Sequence, residues 1–146
     1  MNGTSVIIDG IRSPLLEFGP ANSDEAVVFV YGNPGSIRDW GALARSVGEF
    51  GRAVAIDMPG FGSADKPADF DYSVGGYARH LAKLMTDRGV RRAHLVMHDF
   101  GGPAWRGHQT IPTPSLVSHA STPAFYRDTG GIIWRGFGKR QCSVKC

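Results

Sequence analysis

His98-Asp99-Phe100-Gly101-Gly102 closes an apolar run that begins at His94. A carboxylate ending such a run, followed at once by two glycines, reads as a buried strand delivering Asp99 to a tight turn. Gly101 and Gly102 stand where the backbone must bend sharply into a helix. This is the layout of a nucleophile elbow, which holds a side chain exposed above the edge of a sheet. The N–H groups that follow then point at any oxyanion formed there. An ordinary strand-to-helix turn with Asp99 as N-cap fits the same five residues, so the rest of the chain must decide.

The other residues able to do chemistry sort around this one. His98 adjoins Asp99, but successive side chains at a strand end face opposite ways, so a structural role is expected for it. His94, in the same strand, and His80, in a helical pattern, read as packed or solvated. Asp57 and Asp65 lie in a loop and read either as acids or as residues of Asx turns, which explain them as well. Cys142 and Cys146 have no histidine or second cysteine pair at zinc spacing, so neither a metal, a disulfide nor a cofactor is expected.

The elements that must position Asp99 follow in order. Ser5–Asp9 and Ile11–Phe18 predict an N-terminal strand pair separated at Gly10. Ala26–Tyr31 is a continuous β-branched and aromatic run, typical of a strand covered on both faces. It ends in Gly32-Asn33-Pro34-Gly35. Ser36 then caps a predicted helix in which Trp40, Leu43, Ala44 and Val47 form one apolar stripe, core rather than cofactor box, closed by Gly48. A second buried strand, Arg52–Ile56, leads into a Gly- and Pro-rich loop, Asp57–Pro67. A further helix spans Ser73–Arg88, with Tyr77, Leu81, Leu84 and Met85 on one face and Gly89 at its C-terminal end. Strand alternating with helix in this way predicts a right-handed parallel α/β sheet.

Composition bounds the partners. At 146 residues one domain with a real core is expected. No long apolar run and no leader-like start is present, so no membrane and a cytoplasmic location are expected. The net charge of +3 is unevenly spread: six of the 16 basic residues, but one of the 13 acids, lie after Pro103. A nucleic-acid role for that basic stretch is not the expectation, and the partner predicted is a small-molecule substrate.

Three motifs in order, Gly32-Asn33-Pro34-Gly35, Asp57-Met-Pro-Gly-Phe-Gly-Ser-Ala-Asp-Lys-Pro67 and His98–Gly102, make residues 1–103 resemble the N-terminal part of the α/β-hydrolase superfamily. The likeness is to its aspartate-nucleophile branch, which includes haloalkane dehalogenases and epoxide hydrolases. The resemblance implies that Asp99 attacks an electrophilic carbon to form an ester, with the backbone N–H groups of Asn33 and Phe100 as oxyanion donors. It also implies a histidine and an acid later in the chain, which no residue here supplies. Three positions depart from the family: Tyr31 replaces the usual histidine, Met97 fills a small-residue position, and Phe100 replaces a tryptophan that helps hold halide. An epoxide or another activated substrate is thereby left open.

Beyond Pro103 the pattern breaks. Gly107, Pro112 and Pro114 stop the helix that an elbow requires, and residues 104–146 are expected to lack a regular fold. A reading-frame change near Ala104 is the expected cause, with a genuine divergent tail as the alternative. Reading from the third base of each codon, starting in Pro103, permits an apolar-faced helix, a His-Pro-Asp turn and a strand. On this reading a hydrolase forming an aspartyl ester is expected, inactive as the chain stands. The alternative is a non-catalytic α/β domain binding a small ligand or a protein partner.

Overall fold

A computed structural model describes residues 4–99, 115–122, 127–128 and 131–132. Two antiparallel strands open the fold, β1 (Thr4–Ile8) and β2 (Ile11–Phe18), with Ile8 opposite Ile11. The residues between them, Asp9 and Gly10, have φ of 50° and 81°. That left-handed pair gives a two-residue turn the twist that its flanking strands need. Next come β3 (Glu25–Val30), β4 (Arg52–Ile56) and β5 (Arg92–His98), with β3 lying parallel to both β4 and β5. β2 pairs antiparallel with β4, and the sheet runs β1-β2-β4-β3-β5-β6.

β6 (Ser115–Thr122) departs from the expectation that residues 104–146 have no regular fold, because it lies parallel to β5. The edge of β5 away from β3 presents a row of N–H and C=O groups, and an extended segment satisfies them. β7 (Arg127–Asp128) and β8 (Gly131–Ile132) form a separate antiparallel pair.

Alternation along the strands separates two layers. Val28 and Val30 of β3 and Val54 and Ile56 of β4 share a core with Leu81, Leu84 and Met85. Phe29, Ala53 and Ala55 face the other way and pack with Ala44. The helices carrying these partners, α1 (Gly41–Val47) and α2 (Val74–Asp87), therefore cover opposite faces. Strands buried on both faces need no alternation of polarity, and these two have none.

The helix predicted from Ser36 is realised in two pieces. The Ser36 hydroxyl accepts from the Arg38 N–H, and Asp39 accepts from the Ser36 N–H, but Ile37–Trp40 is a 3₁₀ turn before α1. A 3₁₀ turn advances ~120° per residue against ~100° in an α-helix, so the predicted stripe loses phase. Ala44 is buried while Leu43 is 47% exposed. α2 matches its expected span closely. Its cap Ser73 accepts from the Gly76 N–H at 3.1 Å. At the far end Val90 N–H donates to Met85 C=O and Gly89 N–H to Thr86 C=O, with Gly89 at φ +67°. That pair of bonds is a Schellman ending, and it brings buried Val90 into the same core as Met85. Among the described residues no helix is long and apolar enough to cross a membrane.

Candidate active site

The register of β3 against β5 sets Val30 opposite Met97. The two chains therefore leave the sheet side by side, Tyr31-Gly32-Asn33 from one and His98-Asp99 from the other. Asp99 has φ +49°, the left-handed region that non-glycine residues avoid. Its carboxylate Oδ2 accepts a hydrogen bond from the Asn33 backbone N–H at 3.1 Å. These two residues, 66 apart in sequence, are the pair that the sequence singles out and the fold brings together.

Gly32 is the condition for that contact. A methyl group on its α-carbon would lie 2.6 Å from Asp99 Cβ, 2.9 Å from His98 Nδ1 and 3.0 Å from Asp99 Oδ2. Only glycine leaves room for the close approach. His98 is exposed, and its ring lies against Gly32 beside Asp99. The reasoning that adjacent residues must face opposite ways fails here, because alternation holds only while the backbone stays extended. Met97, a bulky residue where the resemblance expects a small one, is accommodated in the core on the α2 side. Phe100, Gly101 and Gly102 lie outside the described residues.

Two side chains that sequence reasoning did not place in the site hold its loops. Asp57 is 3% exposed, and its carboxylate accepts from the Ile37 N–H at 2.9 Å and from the Ser63 N–H at 2.9 Å. It thus ties the turn after β3 to the loop after β4. Gly62, at φ +50°, wraps so closely that a methyl there would lie 2.3 Å from Asp57 Oδ2. Tyr31 supplies a second tie, its hydroxyl accepting from the Met58 N–H at 2.6 Å. Burial pushes the Tyr31 phenol above its ordinary range, with the charge of Asp57 adding to the effect, so it acts as a neutral hydroxyl. Tyr31, where the resemblance expects histidine, therefore links the two loops.

The remaining polar candidates serve elsewhere. Asp65 anchors the second loop to β2: its carboxylate accepts from the Arg12 N–H at 2.8 Å, and its own N–H donates to Arg12 C=O. His94 pairs with Glu25 at 2.7 Å, at the opposite end of β5. His80 is buried in α2, edge-on to Phe70. Among the described residues no group of three His, Cys, Asp or Glu side chains could hold a metal ion.

Known proteins resemble this chain in sequence and in fold. A family model described as the alpha/beta hydrolase fold matches residues 25–104. A haloalkane dehalogenase of Bradyrhizobium diazoefficiens is 35% identical over 107 residues, which cover 73% of this chain and 34% of that protein. A haloalkane dehalogenase of Mesorhizobium japonicum is 35% identical over 79 residues, covering 54% of this chain and 25% of that one. Among solved structures, epoxide hydrolase VrEH1 of Vigna radiata superposes with a TM-score of 0.72, covering 89% of this chain and 42% of that one. Its identity is 22%, so that likeness concerns the fold alone. The chain matches about a quarter to a third of the length of these curated relatives.

Proposed function

The chain belongs to the alpha/beta hydrolase fold family, and on that premise we propose that it carries the nucleophile half of a hydrolase working through an aspartyl ester. The substrate class is a small organic electrophile of epoxide or haloalkane type, as the relatives' names suggest. One observation carries the reading: a carboxylate on a left-handed turn at a strand end, met by the Asn33 N–H at 3.1 Å. A carboxylate is ionised at neutral pH and needs no base to attack an alkyl carbon. With an epoxide, an Asp99 oxygen forms the new C–O bond, the ring C–O bond breaks, and the alkoxide takes a proton from water. The Asn33 N–H, and the Phe100 N–H by resemblance, would steady negative charge on the ester oxygen during its later hydrolysis.

Hydrolysis of the ester needs an activated water, and His80 and His94 are engaged away from Asp99. By resemblance the histidine that activates this water lies later in the family's sequence, so the chain as it stands is read as forming the ester and stopping. The charge break after Pro103 supports a second part of the proposal, that residues from about Ala104 onward are translated out of frame and the enzyme's remaining machinery belongs to the restored frame. The test is to incubate the purified chain with a terminal aryl epoxide and map the adduct by mass spectrometry. One equivalent on Asp99, absent in Asp99→Asn, is the expected result. Binding of the probe that survives in Asp99→Asn without any adduct in the parent chain would instead favour a non-catalytic ligand-binding domain.

A further inference from the structure

His98 is the last residue of β5 and shares the parity of Val96, which packs on the α1 side of the sheet. Continued alternation would send Asp99 after Met97, to the other side. The left-handed turn at Asp99 prevents this, and its carboxylate returns over Gly32, where the imidazole also stands. Nδ1 of His98 and Cβ and Oδ2 of Asp99 all lie within 3.0 Å of the one position that a methyl on Gly32 would take. Two consecutive side chains at the end of β5 thus flank the space above Gly32, in the turn that follows β3. The next residue along that turn, Asn33, is the one whose N–H meets Asp99 Oδ2.

We propose that His98 is a positioning residue: its Nδ1 edge braces the Gly32–Asn33 turn, keeping the Asn33 N–H aimed at the Asp99 carboxylate. The proposal rests on the reading of Asp99 as nucleophile and assigns the neighbouring histidine a place in that same site. The Asn33 N–H aims the Asp99 carboxylate at the carbon it attacks. Such a contact holds over a narrow range of distance, roughly 2.7–3.1 Å, and a misplacement of a reacting group by about 1 Å costs on the order of a hundredfold in rate. The Asn33 contact, at 3.1 Å, sits at the outer limit of that range, so a turn free to drift would lose it. A side chain present for core packing would be buried, whereas His98 is exposed. Its removal should therefore loosen the turn while leaving the fold's stability nearly unchanged.

The atom nearest the space above Gly32 makes the test specific. Asparagine places its amide where Nδ1 stands, whereas glutamine reaches only the position of Nε2. Alkylation of Asp99 by the aryl epoxide is followed in the full chain and in His98→Ala, His98→Asn and His98→Gln, with thermal unfolding measured on the same samples. Expected is a labelling rate at least about tenfold lower in the alanine and glutamine variants, with the asparagine variant close to the parent and all unfolding within about 2 °C. Parent-like labelling in His98→Ala, rescue by glutamine rather than asparagine, or losses that track the unfolding temperature would overturn the proposal. If the parent chain itself is not alkylated at Asp99, the functional reading fails instead. The amide proton shift of Asn33 then decides the brace: it must move in His98→Ala and stay in His98→Asn, and a shift unchanged in both rejects it.

Discussion

Asp99 occupies a backbone conformation that costs a non-glycine residue roughly 1 kcal/mol or more, and aspartate is among the residues that tolerate it best. Its hydrogen bond from Asn33 N–H and the vacancy above Gly32 help to hold it there. Asp57 works differently, as a buried acceptor whose two oxygens each satisfy a backbone N–H of a separate loop. His80 carries the residue-scale prediction. Its Nε2 is buried with no partner among the described residues, and burial pushes its pKa down to about 4, the charge of Asp9 opposing. The folded chain thus keeps His80 neutral where the unfolded chain, near the ordinary value of ~6.5, protonates it. The stability that this group contributes is complete above ~6.5 and is lost as pH falls toward about 4. Urea titrations between pH 7 and pH 4 should show a loss of at most about 3 kcal/mol from this source, and His80→Phe should flatten that part of the slope. An equal slope in the variant would assign the acid sensitivity to other groups.

The turn from Tyr31 to Trp40 is the element on which the site depends, and it is held at three points along its length. Tyr31 binds the Met58 N–H, Asn33 meets Asp99, and the Ile37 N–H is taken by Asp57. Two of the ties reach the loop after β4 and the third reaches the end of β5, so the turn cannot shift without breaking a contact to the rest of the fold. α2 supports the loop from the other side, with Tyr77 donating to Pro59 C=O at 3.2 Å and packing against Phe61. The Gly76 N–H in its first turn is met by the Ser73 hydroxyl, which makes none of the three ties that hold the Tyr31–Trp40 turn. Ser73→Ala should therefore cost about 1 kcal/mol in denaturant unfolding while leaving the rate of Asp99 alkylation unchanged. A fall in labelling beyond the fall in stability would show that α2 is coupled to the site.

Across the whole molecule, charge and sequence motif divide near Pro103. Before it stand 10 basic and 12 acidic residues, after it six and one, and the motifs that fit an elbow-containing fold end at the same place. The proposed frame change predicts that a nucleotide read across the codons of Pro103 and Ala104 restores an apolar-faced helix directly after the elbow. A coding frame confirmed as written would remove that explanation and make the stretch a genuine part of the protein. The sequence by itself determined the strands and helices before Asp99, apart from the 3₁₀ turn at Ile37–Trp40, because period, caps and turn residues are local, whereas β6 was not legible in it. It also picked out Asp99 and Asn33, since a carboxylate before Gly-Gly and a Gly-Asn-Pro-Gly turn after a buried strand are local patterns too. Only the tertiary structure decided what they touch. The parallel register that sets Val30 against Met97 brings residues 66 apart into hydrogen-bonding distance, and it places His98 on the same α-carbon as Asp99. The orientation of His98 and the bond from Ile37 to Asp57 were invisible in the chain order, because each depends on how two separate strands align and not on the residues beside them.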